Sequence, residues 1–131
     1  MTQDNKNILF KDLCARLPYK TKIQLTEYSD LTGEKLPNKI KILDYCMLGR
    51  VQAYCNGFRK DEIKPYLFPL SSMTEEQKKE YAHILVMSSN LAYCQILGMT
   101  VEDWFNKNHF DYRGLIPMGL ANDATGLGIY E

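Results

Sequence analysis

The strongest constraint on the fold is an alternation of apolar and polar residues in the first third of the chain. Between Thr21 and Tyr28, Ile23 and Leu25 fall on one side of an extended chain, and lysine, glutamine and threonine fall on the other. Successive side chains of a strand point to opposite faces, so a period of two residues is typical of a strand with one buried face. This segment is therefore predicted to be a half-buried strand.

A second alternating segment, Asn38–Asp44, follows a turn-forming stretch that contains aspartate and glycine. In this segment Ile40 and Ile42 are predicted to point inward, and Lys39 and Lys41 are predicted to point outward. The two alternating segments are predicted to be antiparallel strands of one sheet.

Three more strands are predicted before residue 68. Arg50–Cys55 is the first, and the Asn56-Gly57 pair behind it is typical of a type I′ hairpin turn, because both central positions of that turn have a positive φ. Phe58–Ile63 would be the return strand, and Tyr66–Phe68, between two prolines, would be an edge strand or an extended arm. The chain is therefore predicted to be α+β, with a small antiparallel sheet of four or five strands, SH3-like or curled, over residues 20–68.

Helices are predicted on both sides of this sheet, at Asn5–Arg16, Thr74–Val86 and Val101–Asn108, the last two within a C-terminal helical part at residues 74–120. The second helix begins with a capping box at Thr74-Glu75-Glu76-Gln77. The first carries an apolar stripe at helical spacing, with a polar side opposite it. The stripe consists of Phe10, Leu13, Cys14 and Leu17, and the polar side of Lys11, Asp12, Ala15 and Arg16.

The bulk properties predict one soluble domain, residues 1–131, located in the cytoplasm. Apolar residues make up 45% of the chain, a normal share for a globular protein. The polar N-terminus lacks the pattern of a secretory signal, and the longest apolar stretch is too short to cross a bilayer, so no membrane contact is predicted. The four cysteines form no C-x-x-C pair, so free thiols, no metal and no cofactor are expected.

Charge is balanced over the whole chain but not along it. There are 16 basic and 16 acidic residues, which removes the simplest argument for a nucleic-acid partner. Residues 35–60 nevertheless hold six basic residues and one acid, interleaved with aromatic rings, as in proteins that bind single-stranded nucleic acid. A basic β face is one hypothesis, and the favoured alternative is that the aromatic residues fill a core. The residues of such a face would be Lys39, Lys41, Arg50, Tyr54 and Arg59.

His109 and Asp111 form the one pair that suggests catalysis. In an extended segment they would share a face, and the carboxylate would orient the imidazole as a general base. A nucleophile is also required, and Ser88 and Cys94 are only nominal candidates. The favoured alternative is that Asp111 caps the turn at Tyr112 while His109 forms local hydrogen bonds. No catalytic residue is therefore predicted.

Trp104–Ile116 is predicted to be a structural clasp. Trp104 lies on the apolar face of a helix too short to be stable alone, so its indole is expected to be buried. Arg113 would bind backbone carbonyls or an acid such as Glu102, or it would face a partner. These two roles of Arg113 remain open.

The C-terminal half carries several longer motifs. They are Lys64-Pro65-Tyr66-Leu67, Pro69–Glu76, Asp103-Trp104-Phe105-Asn106, His109–Ile116 and Gly119-Leu120-Ala121. In these motifs the chain, from Ile63 onward, resembles small proteins of gut Bacteroidetes and of their phages or mobile elements. The resemblance implies no activity, cofactor or catalytic residue. It implies a small protein that binds or modulates another molecule.

Together these patterns favour a non-enzymatic binding or adaptor protein. Its partner would be another protein or a second copy of the chain. A nucleic-acid binder is the second hypothesis, and an enzyme that uses His109 and Asp111 is the third. The candidate binding residues are Lys39, Lys41, Arg50, Tyr54, Arg59, Trp104, His109, Asp111 and Arg113.

Overall fold

The computed structural model describes residues 2–57, 61–88 and 100–131 of the chain. These residues form an α+β structure, as predicted, and none of their helices is long and apolar enough to cross a bilayer. Single turns of 3-10 helix lie at Leu17–Tyr19, Tyr45–Met47 and Leu70–Ser72. The main elements in chain order are α1 (Gln3–Arg16), β1 (Lys22–Thr26), β2 (Lys39–Ile42), α2 (Leu48–Cys55), β3 (Glu62–Leu67), α3 (Glu75–Ser88), α4 (Val101–Lys107) and β4 (Asn122–Asp123).

The sheet is mixed, and its strand order is β2-β1-β3-β4. β1 is antiparallel to both β2 and β3, which agrees with the predicted antiparallel direction of these strands. β3 and β4 are parallel, so the prediction of a purely antiparallel sheet is wrong, and an SH3-like arrangement is not confirmed. The reason is connectivity: the chain leaves β3, passes through α3 and α4, and returns at β4 in the direction of β3, as parallel neighbours require.

The predicted strand Arg50–Cys55 is wrong, because these residues belong to α2. Val51 and Cys55 lie one helical turn apart in α2, and both are buried in the main core. Gly57 follows the helix with a φ of +75°. The Asn56-Gly57 pair therefore marks the end of a helix and not a hairpin, because both structures need a residue that tolerates a positive φ.

β3 is an inner strand, so the prediction of an edge strand at Tyr66–Phe68 is wrong. Its Pro65 is opposite Ile23 of β1, and pairing with β4 begins one residue later. In the ladder between β1 and β3, the hydrogen bonds are formed by the residues on either side of the Ile23–Pro65 pair. The proline nitrogen therefore points away from β1, and its missing N–H removes no hydrogen bond between these two strands. The predicted return strand began at Phe58, which lies outside the described residues.

The three predicted helices are confirmed as α1, α3 and α4. The capping box of α3 is complete: Gln77 donates its backbone N–H to Thr74 Oγ1 (3.1 Å), and its side chain accepts from the Thr74 N–H (2.9 Å). Thr100 caps α4 through the same reciprocal arrangement. α1 is capped by Thr2 and begins at Gln3, two residues before its predicted start at Asn5.

Two groups of buried apolar side chains support the structure. The main core joins α1 and α2 to one face of the sheet, and a smaller aromatic cluster joins α3 and α4 to the segment that follows them. The main core includes Leu9, Leu13, Ile23, Leu25, Leu43, Val51, Cys55, Ile63, Leu67 and Leu115. The aromatic cluster is built on Trp104, Phe105 and Phe110.

Candidate functional site

The β2 edge, Lys39–Ile42, is one of the two outer strands of the described sheet, and β4 is the other. All four of its residues are exposed, including Ile40 at 57% and Ile42 at 49%. Exposure extends back through the preceding loop, where every residue from Asp30 onward is exposed and Leu31 reaches 96%. Aliphatic side chains beside the free edge of a sheet are a surface on which another chain can pair.

The strand register shows which face each residue of the β2 edge occupies. Lys41 is opposite Ile23 and Lys39 is opposite Leu25, and both partners in β1 are fully buried in the main core. Directly opposed residues share a face in an antiparallel pair, so the two lysines lie on the face that α1 and α2 cover. The two isoleucines of the edge lie on the other face. The prediction that the isoleucines point inward and the lysines outward is therefore wrong.

The backbone of the β2 edge also has an inner and an outer side. Leu43, the residue after β2, donates its N–H to the Thr21 carbonyl (2.7 Å). Hydrogen-bonded residues alternate along an antiparallel pair, so the two lysines bond to β1, whereas the N–H and C=O of Ile40 and Ile42 point outward. Among the described strands, none pairs with this outer side. Two residues of the edge thus present both backbone hydrogen-bonding groups and aliphatic side chains.

The basic residues predicted in this region are only partly brought together. Lys39 Nζ lies 3.4 Å from Glu27 Oε1, and Arg50 Nη1 lies 3.8 Å from Glu27 Oε2. Both cations therefore converge on an acid, which offsets part of the positive charge that an anionic partner would meet. Lys41 is exposed and forms no ion pair within the described part of the chain.

Two further residues of the predicted basic face do not extend it. Tyr54 is partly buried and packs against the main core, and burial raises the pKa of its hydroxyl. Arg59 lies outside the described residues. For Tyr54, core filling, which was the favoured alternative, describes the observed position.

A second polar group, the buried polar cluster, lies at the end of α1. Asp12 and Arg16 are each 0% exposed. Arg16 Nε donates to Asp12 Oδ2 (2.8 Å), and Arg16 Nη2 donates to Asp12 Oδ1 (3.1 Å) and to the Phe110 carbonyl (2.7 Å). Arg113 Nε also donates to Asp12 Oδ1 (3.2 Å). The cluster comprises Asp12, Arg16, Thr21, His109, Arg113 and Tyr130.

The position of this ion pair corrects the prediction for α1. The sequence pattern predicts Asp12 and Arg16 on the polar outer side of the helix, and that prediction is wrong. A charged pair is stable in the interior only when hydrogen bonds compensate for its lost hydration. Here the compensating groups come from residues 110–113, almost a hundred positions along the chain.

His109 belongs to the same cluster and adopts a φ of +62°. Its Nδ1 lies 3.3 Å from Thr21 Oγ1, and its ring stacks on Tyr130. Burial, together with the positive charges of Arg16 and Lys22, lowers the pKa of His109 from 6.5 to about 4. The imidazole is therefore neutral at pH 7.

The side chains of Asp111 and His109 contact different groups of the protein. The Asp111 carboxylate accepts the N–H groups of Leu115 (2.8 Å) and Ile116 (2.9 Å), so it caps the turn after Tyr112, in agreement with the favoured alternative. The imidazole of His109 is directed at a threonine hydroxyl and not at this carboxylate. The geometry of a His–Asp couple is not formed.

The nominal nucleophiles add no catalytic arrangement. Cys94 and the side chain of Ser88 lie outside the described part of the chain. Cys14, Cys46 and Cys55 are free thiols, and burial raises the pKa of Cys55 to about 11, which makes this thiol a weak nucleophile. Within residues 2–57, 61–88 and 100–131, no group of three metal-binding side chains was found.

Trp104 occupies the centre of the aromatic cluster and is 3% exposed, which confirms the predicted burial of its indole. Its ring stacks on Tyr81 and Phe110, with centroid distances of 5.8 and 5.6 Å. Its indole N–H donates to Glu80 Oε2 (3.2 Å). Arg113, for which Glu102 was one predicted partner, binds Asp12 instead.

Comparison with protein-family models, with curated proteins and with solved structures finds no match to this chain. Function is therefore inferred from the geometry of the residues described above. Of these, Asp12, Arg16, Thr21 and Tyr130 were not predicted as important from the sequence. Asp12 and Arg16 pair at i,i+4, but their burial and the contacts of Thr21 and Tyr130 depend on groups in distant segments, so no local pattern distinguishes these four residues.

Proposed function

We propose that this protein is a small non-enzymatic binding protein that receives an extended segment of a partner protein at the β2 edge. The observation that carries the proposal is the combination found at Ile40 and Ile42, whose backbone groups and side chains are both available to a partner. In strand addition, backbone hydrogen bonds along a sheet edge provide affinity, and alternate side chains provide specificity. The β2 edge supplies both kinds of contact.

The rigidity of the neighbouring strand supports this assignment. β1 pairs with β2 on one side and with β3 on the other, and its Ile23 and Leu25 are fully buried. An edge held by a buried strand is already in the conformation that a partner strand needs. Binding therefore costs less conformational entropy than it would on a flexible loop.

The contacts of the polar residues in the C-terminal segment support a structural and not a catalytic assignment for it. Asp111, Arg113 and His109 each engage groups of the protein itself. The resemblance of the C-terminal half to small phage or mobile-element proteins fits a modulating role, which we place in the cytoplasm. In this proposal the C-terminal half stabilises the fold, and the β2 edge makes the contact.

The proposal is tested by selecting random peptides displayed on phage against the protein, with an edge-blocked variant as the control. Ile40→Pro removes one outward N–H but no bond to β1, and proline is tolerated in edge strands with this orientation. Peptides selected on the wild type are expected to lose binding to Ile40→Pro and to shift the amide resonances of Ile40 and Ile42. Circular dichroism should show that the variant remains folded. Selected peptides that bind both proteins equally would refute docking at this edge.

A further inference from the structure

The two faces of the β2 edge differ in chemistry, and this difference restricts what can pair with it. Lys39 and Lys41 lie on the face shared with Ile23, whereas Ile40 and Ile42 lie on the opposite face. Residues directly opposed across two strands contact each other, so a partner strand must match a row of positive charges on one face and a row of aliphatic groups on the other.

A second copy of the chain does not match these rows. When β2 pairs with β2 of another molecule, every register that brings isoleucine opposite isoleucine also brings lysine opposite lysine, because the alternation has a period of two residues. Like charges directly opposed destabilise a strand pair. The remaining registers bring each lysine opposite an isoleucine, which leaves both faces mismatched. Self-association through this edge is therefore disfavoured.

We infer that the partner segment is an extended peptide in which acidic and aliphatic residues alternate. Its acids would lie on the face of Lys39 and Lys41, with the main contact at Lys41 because Lys39 is already paired with Glu27. Its aliphatic side chains would cover Ile40 and Ile42. This inference rests on the proposed docking at the β2 edge, and it adds the chemical class of the partner.

Contacts within the protein support the presence of acidic residues in the partner segment. On the same face, Lys39 already forms a cross-strand ion pair with Glu27 (3.4 Å), a carboxylate from the segment after β1. Lys41, one repeat further along, forms no ion pair within the described part of the chain. A partner carboxylate beside Lys41 would complete the row. Exposed ion pairs contribute modestly to affinity, so this contact mainly sets register and specificity.

The aliphatic side chains of the partner would bury the apolar surface of the β2 edge. Ile40 and Ile42 are 57% and 49% exposed, so much of each side chain is free to be covered. Apolar burial scales with the area removed from water. A partner with polar residues at the alternate positions would leave these side chains in water and is expected to bind more weakly.

The test uses fluorescence anisotropy with three labelled peptides that differ only in charge. Each carries valine at every second position, with glutamate, glutamine or lysine between the valines. The glutamate peptide is expected to bind the wild type about tenfold more tightly than the lysine peptide, a difference typical of a few exposed ion pairs. Lys41→Glu should weaken the glutamate peptide and strengthen the lysine peptide by about fivefold each, since one charge is reversed.

The remaining outcomes distinguish the partner chemistry from the docking mode. If all three peptides bind the wild type equally and none binds Ile40→Pro, the acidic partner is wrong and docking at the edge stands. If the glutamate peptide binds Ile40→Pro as well as the wild type, docking at the edge is itself wrong. If no peptide binds and sedimentation shows a dimer that Ile40→Pro abolishes, the occupant is a second copy and the inference is overturned. Binding of none of the peptides to a monomeric wild type overturns it as well.

Discussion

The phenol ring of Tyr130 stacks on the imidazole of His109, with 3.9 Å between the ring centroids and 10° between the ring planes. The Tyr130 hydroxyl accepts the N–H of Lys22 (2.9 Å) and donates to the carbonyl of Tyr66 (2.7 Å). Lys22 and Tyr66 lie at the next position of the β1–β3 ladder, beyond its last pair, Ile23 with Pro65. The hydroxyl therefore joins two strands at the point where β3 turns from β1 toward β4.

Tyr130→Phe is expected to lower the free energy of unfolding by about 1–3 kcal/mol, because backbone groups of Lys22 and Tyr66 lose their partner while the ring remains in place. Denaturant unfolding followed by circular dichroism measures the change. Tyr45→Phe is the matched control, because the Tyr45 side chain is 71% exposed and its variant should retain wild-type stability. Equal stability of the two variants would show that the Tyr130 hydroxyl contributes nothing.

Stability is expected to fall as pH decreases from about 6.5, the pKa of an unfolded histidine, toward about 4. In this range the unfolded chain binds a proton at His109, whereas the folded chain does not, because burial lowers the pKa of the folded imidazole. His109→Asn should flatten this part of the profile, and asparagine tolerates the positive φ. Urea midpoints measured across this pH range test it. Identical profiles for the wild type and the variant would contradict it.

Asp12→Ala is expected to lower the free energy of unfolding by about 3–5 kcal/mol, because the buried Arg16 guanidinium loses its counter-charge. The matched control is Lys78→Ala, which removes the exposed ion pair with Glu75 and should cost less than about 1 kcal/mol. Chemical denaturation of both variants gives the comparison. A small effect of Asp12→Ala would mean that water reaches Arg16 in the folded protein.

Trp104→Ala is expected to lower the free energy of unfolding by about 3–5 kcal/mol, since it leaves a cavity among Tyr81, Phe105 and Phe110. Trp104→Phe should cost less, because it keeps a ring and loses only the hydrogen bond to Glu80. Trp104 is the single tryptophan, so wild-type fluorescence reports on this residue alone. Its emission should be that of a buried indole, and a fully water-exposed spectrum would refute the structural clasp.

Binding to single-stranded DNA is expected to be negligible at physiological salt, because Lys39 and Arg50 already face Glu27. Glu27→Gln should increase the affinity for the oligonucleotide at low salt by removing that acid. The measurement is anisotropy of a labelled oligonucleotide over a salt series, since phosphate binding weakens steeply with salt. Submicromolar binding by the wild type at physiological salt would instead support the nucleic-acid hypothesis.

The parts of the structure that were predictable depend on neighbours in the sequence. Thr74 and Gln77 form their capping box within four consecutive residues, so the start of α3 follows from the local pattern. The alternation at Ile23 and Leu25 correctly predicted a half-buried strand. The segment of α2 was predicted wrongly, because in eight residues a helical spacing is easily mistaken for a strand, and Gly57 suits either a turn or a helix end.

The sequence by itself determined the starts of α3 and α4, the first strand and the burial of Trp104, because each depends on interactions or preferences that act over a few residues. The tertiary structure decided which face of the sheet the isoleucines of β2 occupy, since alternation is satisfied equally by either orientation and only pairing with β1 selects one. It also decided that Asp12 and Arg16 are buried. The groups that compensate for their charges, from Phe110 and Arg113, are brought to α1 only when the chain folds.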